Sequence, residues 1–283
     1  DNSEPEILEA YRVQYDRLYT FQPNREVSDI DTLILKPEIR LPVNRHLRYK
    51  VKYGFIRLGT LDVIFREASY ENEPAWQVDY ITRSSPGFPF ISVNDTFSVF
   101  LDYNVTRTLY LDMKYSEKEF DSREIYELNQ STGRMDIREV QGDGTWRHMD
   151  HPLPVNCLDP SSMIWYTQKL VLAGQDGEVN TAISAGFERT IINLVGEDGT
   201  VSLGGREWET IKVDGIMHYA GIVGLTGEFA GWFDQQTGWP LIAKFRIFLG
   251  SVNLLLDEIL PLDTESDPGF NMILPTADRK TSN

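Results

Sequence analysis

His46-Leu-Arg-Tyr-Lys-Val-Lys-Tyr-Gly-Phe-Ile-Arg-Leu-Gly-Thr-Leu-Asp-Val-Ile-Phe-Arg66 is the stretch on which the reading of the chain turns. Leu47, Tyr49, Val51 and Tyr53 are apolar, and Arg48, Lys50 and Lys52 lie between them. Side chains of a strand alternate faces, so this is a strand with one dry and one wet side. After Gly54 the pattern resumes at Leu61, Val63 and Phe65. Gly54 and Gly59 mark where the sheet turns or bends, because glycine lacks the side chain that would forbid it.

Similar alternation recurs along the chain. It appears at Trp76, Val78 and Tyr80, at Phe97–Tyr103, and at Leu109–Tyr115. Ile125–Leu128 and Met135–Val140 read as a pair joined by Ser131-Thr132-Gly133. Further strands are read at Phe187–Leu194, Trp208–Val213, Gly227–Phe233, Leu241–Leu249 and Val252–Ile259. Pro86-Gly87 and Pro89 break the pattern, and Gly204-Gly205 and Gln236-Thr237-Gly238 are turn signals. Short spacing argues for an antiparallel meander, since parallel neighbours need long crossovers.

Two helices are expected. Asp159-Pro160 opens the clearer one, with Asp as N-cap, Met163, Tyr166 and Leu170 on one face, and Gly174 as C-cap. Ser3 to Leu18 reads as a helix in preference to a strand, with Ser3 and Glu6 as a capping box. Residues 1–43 are taken as this helix and a wrapping segment with an edge strand near Leu33–Leu35. Residues 44–260 are the sheet core of one domain spanning 1–283, and 261–283 a polar tail. So many half-apolar strands cannot lie flat without wetting their dry face. The expected fold is mainly β: a strongly curved antiparallel sheet or partly open β-barrel with one or two covering helices.

Composition narrows the function. A net charge of −16 repels phosphate backbones, so no nucleic-acid partner is expected. The single cysteine, Cys157, excludes an intramolecular disulfide. The apolar run Leu241–Leu256 is broken by Lys244, Arg246 and Asn253, so no transmembrane segment is expected.

Three stretches resemble the bacterial domain of unknown function 3108. They are Leu47–Thr60, Asp159–Tyr166, and Gly231-Trp-Phe-Asp234 through Trp239-Pro240 to Phe248–Val252. In that family a Tyr-x-Val-x-Tyr strand leads to Gly-Phe-Ile, an Asp-Pro precedes a central helix, and a Trp strand closes on a Gly-Ser/Thr-Val strand. This chain has Asp234-Gln235-Gln236 where the family's turn is usually Ser-Asp-Asp. The resemblance covers roughly residues 44–260. It implies an exported, periplasm-facing protein with a fold similar to the LolA and LolB lipoprotein carriers. The family has no established catalytic residues to carry over.

Chemical motifs are sparse. His148, Asp150, His151 and Cys157 are the only metal-like cluster, in a stretch (142–157) that its glycines and prolines make a loop. Cys157 reads as a buried residue, and Ser161 and Ser162 as capping residues without a nucleophile elbow. Gly221–Gly227 lacks the Lys-Ser/Thr of a phosphate loop and reads as a loop or close-packed strand. No catalytic residue, metal or cofactor is expected. The apolar faces are different in kind. Tyr49, Val51, Tyr53, Phe97, Val99, Leu101, Leu111, Met113, Phe245, Ile247 and Leu249 are expected to face one interior, either a filled core or a cavity for a lipid or other apolar ligand. The leading expectation is a non-enzymatic exported protein binding such a ligand. A cell-envelope scaffold with a filled core and an envelope protein partner is the alternative, and a hydrolase or metal-dependent enzyme using 142–157 is the third.

Overall fold

The structure is a computed structural model that describes residues 40–85, 94–117, 120–140, 144–183, 186–217, 227–247 and 250–262. The expected helix at 3–18, the edge strand at 33–35, the breaker at 86–89, the 221–226 stretch and the tail beyond 262 lie outside them.

Fifteen strands and one helix are present among the described residues. The strands are β1 (Arg45–Tyr53), β2 (Ile56–Tyr70), β3 (Glu73–Ser84), β4 (Asn94–Asp102), β5 (Thr108–Glu117), β6 (Phe120–Asn129), β7 (Arg134–Val140), β8 (Trp146–Pro152) and β9 (Cys157–Leu158). Helix α1 (Met163–Ala173) follows, then β10 (Gly177–Ile183), β11 (Gly186–Leu203), β12 (Arg206–Met217), β13 (Gly227–Asp234), β14 (Pro240–Ile247) and β15 (Gly250–Pro261). All fifteen strands form one sheet in the order β8-β7-β6-β5-β4-β3-β2-β1-β15-β14-β13-β12-β11-β10-β9. Every pairing is antiparallel except β9 with β10, which α1 connects. The sheet is curved and unclosed, as the alternation predicted.

The two halves of the chain join where β1 pairs with β15, and the open edges are β8 and β9. Residues 153–156 alone separate those edges in sequence, yet the sheet does not close there. Pro152 and Pro154 flank Leu153 and lack N–H donors, so no ladder can continue through them. Register shifts between Val51 and Lys52, Phe100 and Leu101, and Trp232 and Phe233 add the local twist that curls so wide a sheet. Gly59 lies opposite Val51 beside the first shift, and a Cβ there would come within 2.2 Å of the Arg83 carbonyl oxygen. No other residue fits at that point.

Three local expectations are corrected. The 142–157 stretch is not a loop throughout: β8 occupies Trp146–Pro152. β9 and β10 had no expected counterpart, since neither shows sustained alternation. Helix α1 begins at Met163, three residues after Pro160, because Asp159 caps the preceding turn instead. Its Oδ1 accepts from the N–H groups of Ser161 (2.9 Å) and Ser162 (3.2 Å). Gly174 ends the helix with φ 66°, the left-handed conformation that favours glycine.

The concave face is the core. One apolar cluster runs from Leu47 on β1 to Leu256 on β15 and includes Trp165 and Leu170 of α1. The convex face holds buried carboxylates matched by cross-strand cations. Asp62 accepts from His46 Nε2 (2.8 Å), Arg48 Nε (2.7 Å) and Arg83 Nη1 (3.0 Å). Arg123 grips Asp112 with two parallel bonds of 2.8 and 2.7 Å. Asp79 is held by Arg66, Gln77 and Ser98.

Burial by itself would raise the Asp62 carboxyl, but His46 and Arg48 hold it down to about 2, below the free value of 3.8. A folded value below the unfolded one means stability that is present above the unfolded pKa and lost as pH falls through the folded one. We therefore expect Asp62→Asn to be less stable than the wild type at neutral pH, with the difference shrinking between about pH 4 and pH 2. Urea midpoints of the two proteins across that window check this, and a constant difference would contradict it.

Candidate functional site

Helix α1 crosses the concavity and divides it into a filled side and an unfilled one. On the filled side, Trp165 meets the Phe65 ring edge-on, with centroids 4.7 Å apart and planes at 82°. Its Nε1–H donates to the Tyr80 hydroxyl (2.8 Å), which donates to the Ser161 carbonyl (2.9 Å). Burial and then the nearby Asp159 carboxylate push the Tyr80 hydroxyl well up, so it stays protonated and keeps this donor role.

Polar contacts to the hairpin turns pin the helix. Gln168 Nε2 donates to the carbonyls of Thr237 (2.9 Å) and Arg40 (3.0 Å). Lys169 Nζ donates to the Asn104 carbonyl at 2.5 Å. Burial lowers the Lys169 pKa, while the Asp102 carboxylate pulls it back. Gly177 and Gly238 lie where a Cβ would meet Leu170 at 2.6 Å, and Gln168 and Leu172 at 2.9 Å.

On the other side a cavity of about 40 Å³ lies between α1 and β12–β15. Met163, Ile164 and Thr167 form the helix wall. Val213 and Met217 of β12, Phe229 and Phe233 of β13, Ala243 and Phe245 of β14, and Leu254 of β15 form the sheet wall. No charged side chain lines it. The Thr167 hydroxyl is committed to the Met163 carbonyl (3.0 Å), so it offers little to a ligand. Two strand glycines shape the sheet wall. A Cβ on Gly215 would lie 2.5 Å from the Phe229 ring, and one on Gly231 would lie 2.7 Å from the Phe233 ring. Any larger residue at either position would therefore collide with its ring.

Nine of the eleven apolar residues expected to face one interior have described side chains; seven belong to the one core cluster, and Tyr53 and Met113 pack against it. Phe245 alone of them lines the cavity. Val51, Val99, Leu101 and Leu111 are packed core. Tyr49 is buried with its hydroxyl donating to the Pro240 carbonyl (2.8 Å). Phe97 packs against Tyr115, and the half-buried Met113 accepts from the Tyr115 hydroxyl at 3.2 Å. Tyr53 is half-buried at the end of β1. Ile247 ends β14 opposite Gly250, its side chain outside the described set, as is Leu249 altogether. The cavity wall that sequence reasoning missed comes from α1, β12, β13 and β15. Glycines spaced within the strands at 215 and 231 were the available signal.

The chemical motifs separate in space. On strand β8, His148 and His151 are three apart and so point to opposite faces. Asp150 is engaged by Arg134 Nε at 2.8 Å. Among the described residues no group of three or more His, Cys, Asp or Glu could hold a metal ion. Cys157 is fully buried, and burial followed by the Asp159 charge pushes its thiol far up, the opposite of an activated nucleophile. The Ser161 hydroxyl donates to Asp159, the same carboxylate that caps the turn before α1.

No curated protein matches this chain. Among solved structures, it is similar to a beta-barrel-like protein of domain of unknown function DUF1849 from Brucella abortus. That likeness has a TM-score of 0.53 at 10% identity, covering 80% of this chain and 100% of the other, and it shows a shared fold. The family described as "Protein of unknown function (DUF3108)" matches residues 48–257, through every strand from β1 to β15, and the chain belongs to that family.

Proposed function

We propose that this is a non-enzymatic extracytoplasmic binding protein that takes the hydrocarbon part of a lipid or similar apolar molecule between α1 and β12–β15. The observation that carries the reading is the unfilled cavity between α1 and β12–β15, lined by no charged side chain. Apolar cavities stay dry and accept apolar guests. At rest the space is small. Met163 and Met217 both line it, and unbranched thioether side chains re-pack readily, so the wall can widen around a longer chain. The extracytoplasmic location is supported by the family resemblance and is tested by fractionating the native cells.

The ligand reading is tested by mass spectrometry of organic extracts of the purified protein and by titration with a fluorescent fatty acid. Ala243→Phe places a ring in the cavity and is expected to weaken probe binding by about tenfold or more. It should cost no more than the roughly 1–3 kcal/mol of an overpacked core. Absence of co-purifying lipid together with no saturable probe binding would overturn the proposal. A scaffold of the cell envelope is the second reading, favoured by the filling of the β2–β3 side by Phe65, Tyr80 and Trp165. Pull-down with envelope proteins addresses it.

A further inference from the structure

We propose that the β1–β2 hairpin tip is a docking finger for an anionic lipid surface. The tip is a two-residue turn, Gly54-Phe55, closed by the Tyr53–Ile56 pair. Gly54, with φ 56°, supplies the positive φ that such a turn needs at its first central position. Phe55 answers no such need. It is 92% exposed, more than any other large apolar side chain described, so folding gains almost nothing from it.

The charges beside it are equally unexplained by folding. Residues 45–60 hold five Arg and Lys and no Asp or Glu, in a chain of net charge −16. Arg48 and Lys50 are used internally, on Asp62 and on Asp257. Lys52 and Arg57 face each other directly across the hairpin, and neither has an ion-pair partner among the described residues. The other strand neighbour of Lys52 is the neutral Asn253. Like charges directly opposite destabilise a strand pair, so the fold pays for this arrangement without using it. Two free cations flanking an exposed aromatic ring match an interface with anionic head groups above and hydrocarbon below.

A lipid surface fits better than a protein partner. A stable protein interface buries about 800 Å² on each side, which one ring on a two-residue turn cannot supply. A bilayer needs no complementary surface. The net charge does not forbid it, because at physiological ionic strength charges farther than about 8 Å from the surface are screened. The finger does not depend on the cavity having a ligand.

The test is co-sedimentation of the full chain at physiological ionic strength with phosphatidylcholine vesicles, with and without phosphatidylglycerol. Binding is expected only to the phosphatidylglycerol vesicles. Lys52→Gln and Arg57→Gln should each lower partitioning roughly fivefold. Phe55→Ser should lower it on the order of tenfold. All three positions lie at an outer hairpin tip, so circular dichroism should not change. Val155→Ser removes a side chain that is 70% exposed on the connection after β8, and it should bind like the wild type. Failure of the wild type to sediment with anionic vesicles overturns the proposal, as do tip variants that bind unchanged. Retention on an immobilised acidic polypeptide without vesicle binding also overturns it.

Discussion

Trp165→Ala is expected to destabilise the protein by about 3–5 kcal/mol, the range for deleting a large buried aromatic side chain. The indole is 1% exposed and fills the space between α1 and the β2–β3 part of the sheet. Alanine leaves a void against Phe65 that no neighbour can fill, because the helix is held at both ends. Asp159 and Thr108 hold its start, and Gln168 and Lys169 hold its second half. The indole N–H contributes separately through the Tyr80 hydroxyl. Trp165→Phe keeps most of the volume and loses that bond, so it should cost only about 1–2 kcal/mol. Urea denaturation of the three proteins measures both. Equal losses in the two variants would show that the hydrogen bond, rather than the packing, holds the helix in place.

Asp159→Ala is expected to cost about as much, roughly 3–5 kcal/mol, through unmet hydrogen bonds rather than lost volume. Asp159 is fully buried. Besides the two turn N–H groups and the Ser161 hydroxyl, its Oδ2 accepts from Thr108 Oγ1 at 2.7 Å. Thr108 Oγ1 in turn accepts from the Asp159 N–H at 2.8 Å. Alanine strands the Ser161 and Ser162 N–H groups and the Ser161 and Thr108 hydroxyls in a dry place. Asn can still accept from the turn, and the Thr108 hydroxyl can rotate to receive its amide, so Asp159→Asn should recover more than half of the loss. Thermal or urea unfolding decides it. If the Asn and Ala variants were equally damaged, the charge itself rather than the hydrogen bonds would be what the site requires.

The resting size of the cavity and the pinning of α1 bear on each other. A ligand longer than the cavity must move either the two methionines or the helix. The methionines require only rotamer changes, whereas moving the helix breaks the Asp159, Gln168 and Lys169 contacts together. Ligand entry should therefore leave the Trp165 environment nearly unchanged.

Most of the strands were legible because their causes are local. A period of two in apolarity needs only the pleat, and Gly54, Gly133 and the Gln236–Gly238 stretch mark their turns through their own conformational freedom. β8 was not legible: Trp146–Pro152 is mostly polar and mostly exposed, so no alternation of apolar residues marks it. β9 is two residues long and owes its strand state entirely to β10. The nine of the expected apolar residues that have described side chains pack in or against one core, since alternation says which face is dry. It does not say where the dry space is incompletely filled.

Sequence by itself thus determined most of the strands, the succession of their hairpins, the helix after Asp159-Pro160 and the family, all of which rest on short-range patterns. Only the tertiary structure decided four things. It joined β1 to β15, and it left the sheet open between β8 and β9. It set Asp62 among His46, Arg48 and Arg83 from two other strands. It put a cavity between α1 and β12–β15. Each of these depends on which distant strands become neighbours and on how the volumes on either side of one helix balance. Those quantities are properties of the whole sheet, and no single stretch of the chain carries them.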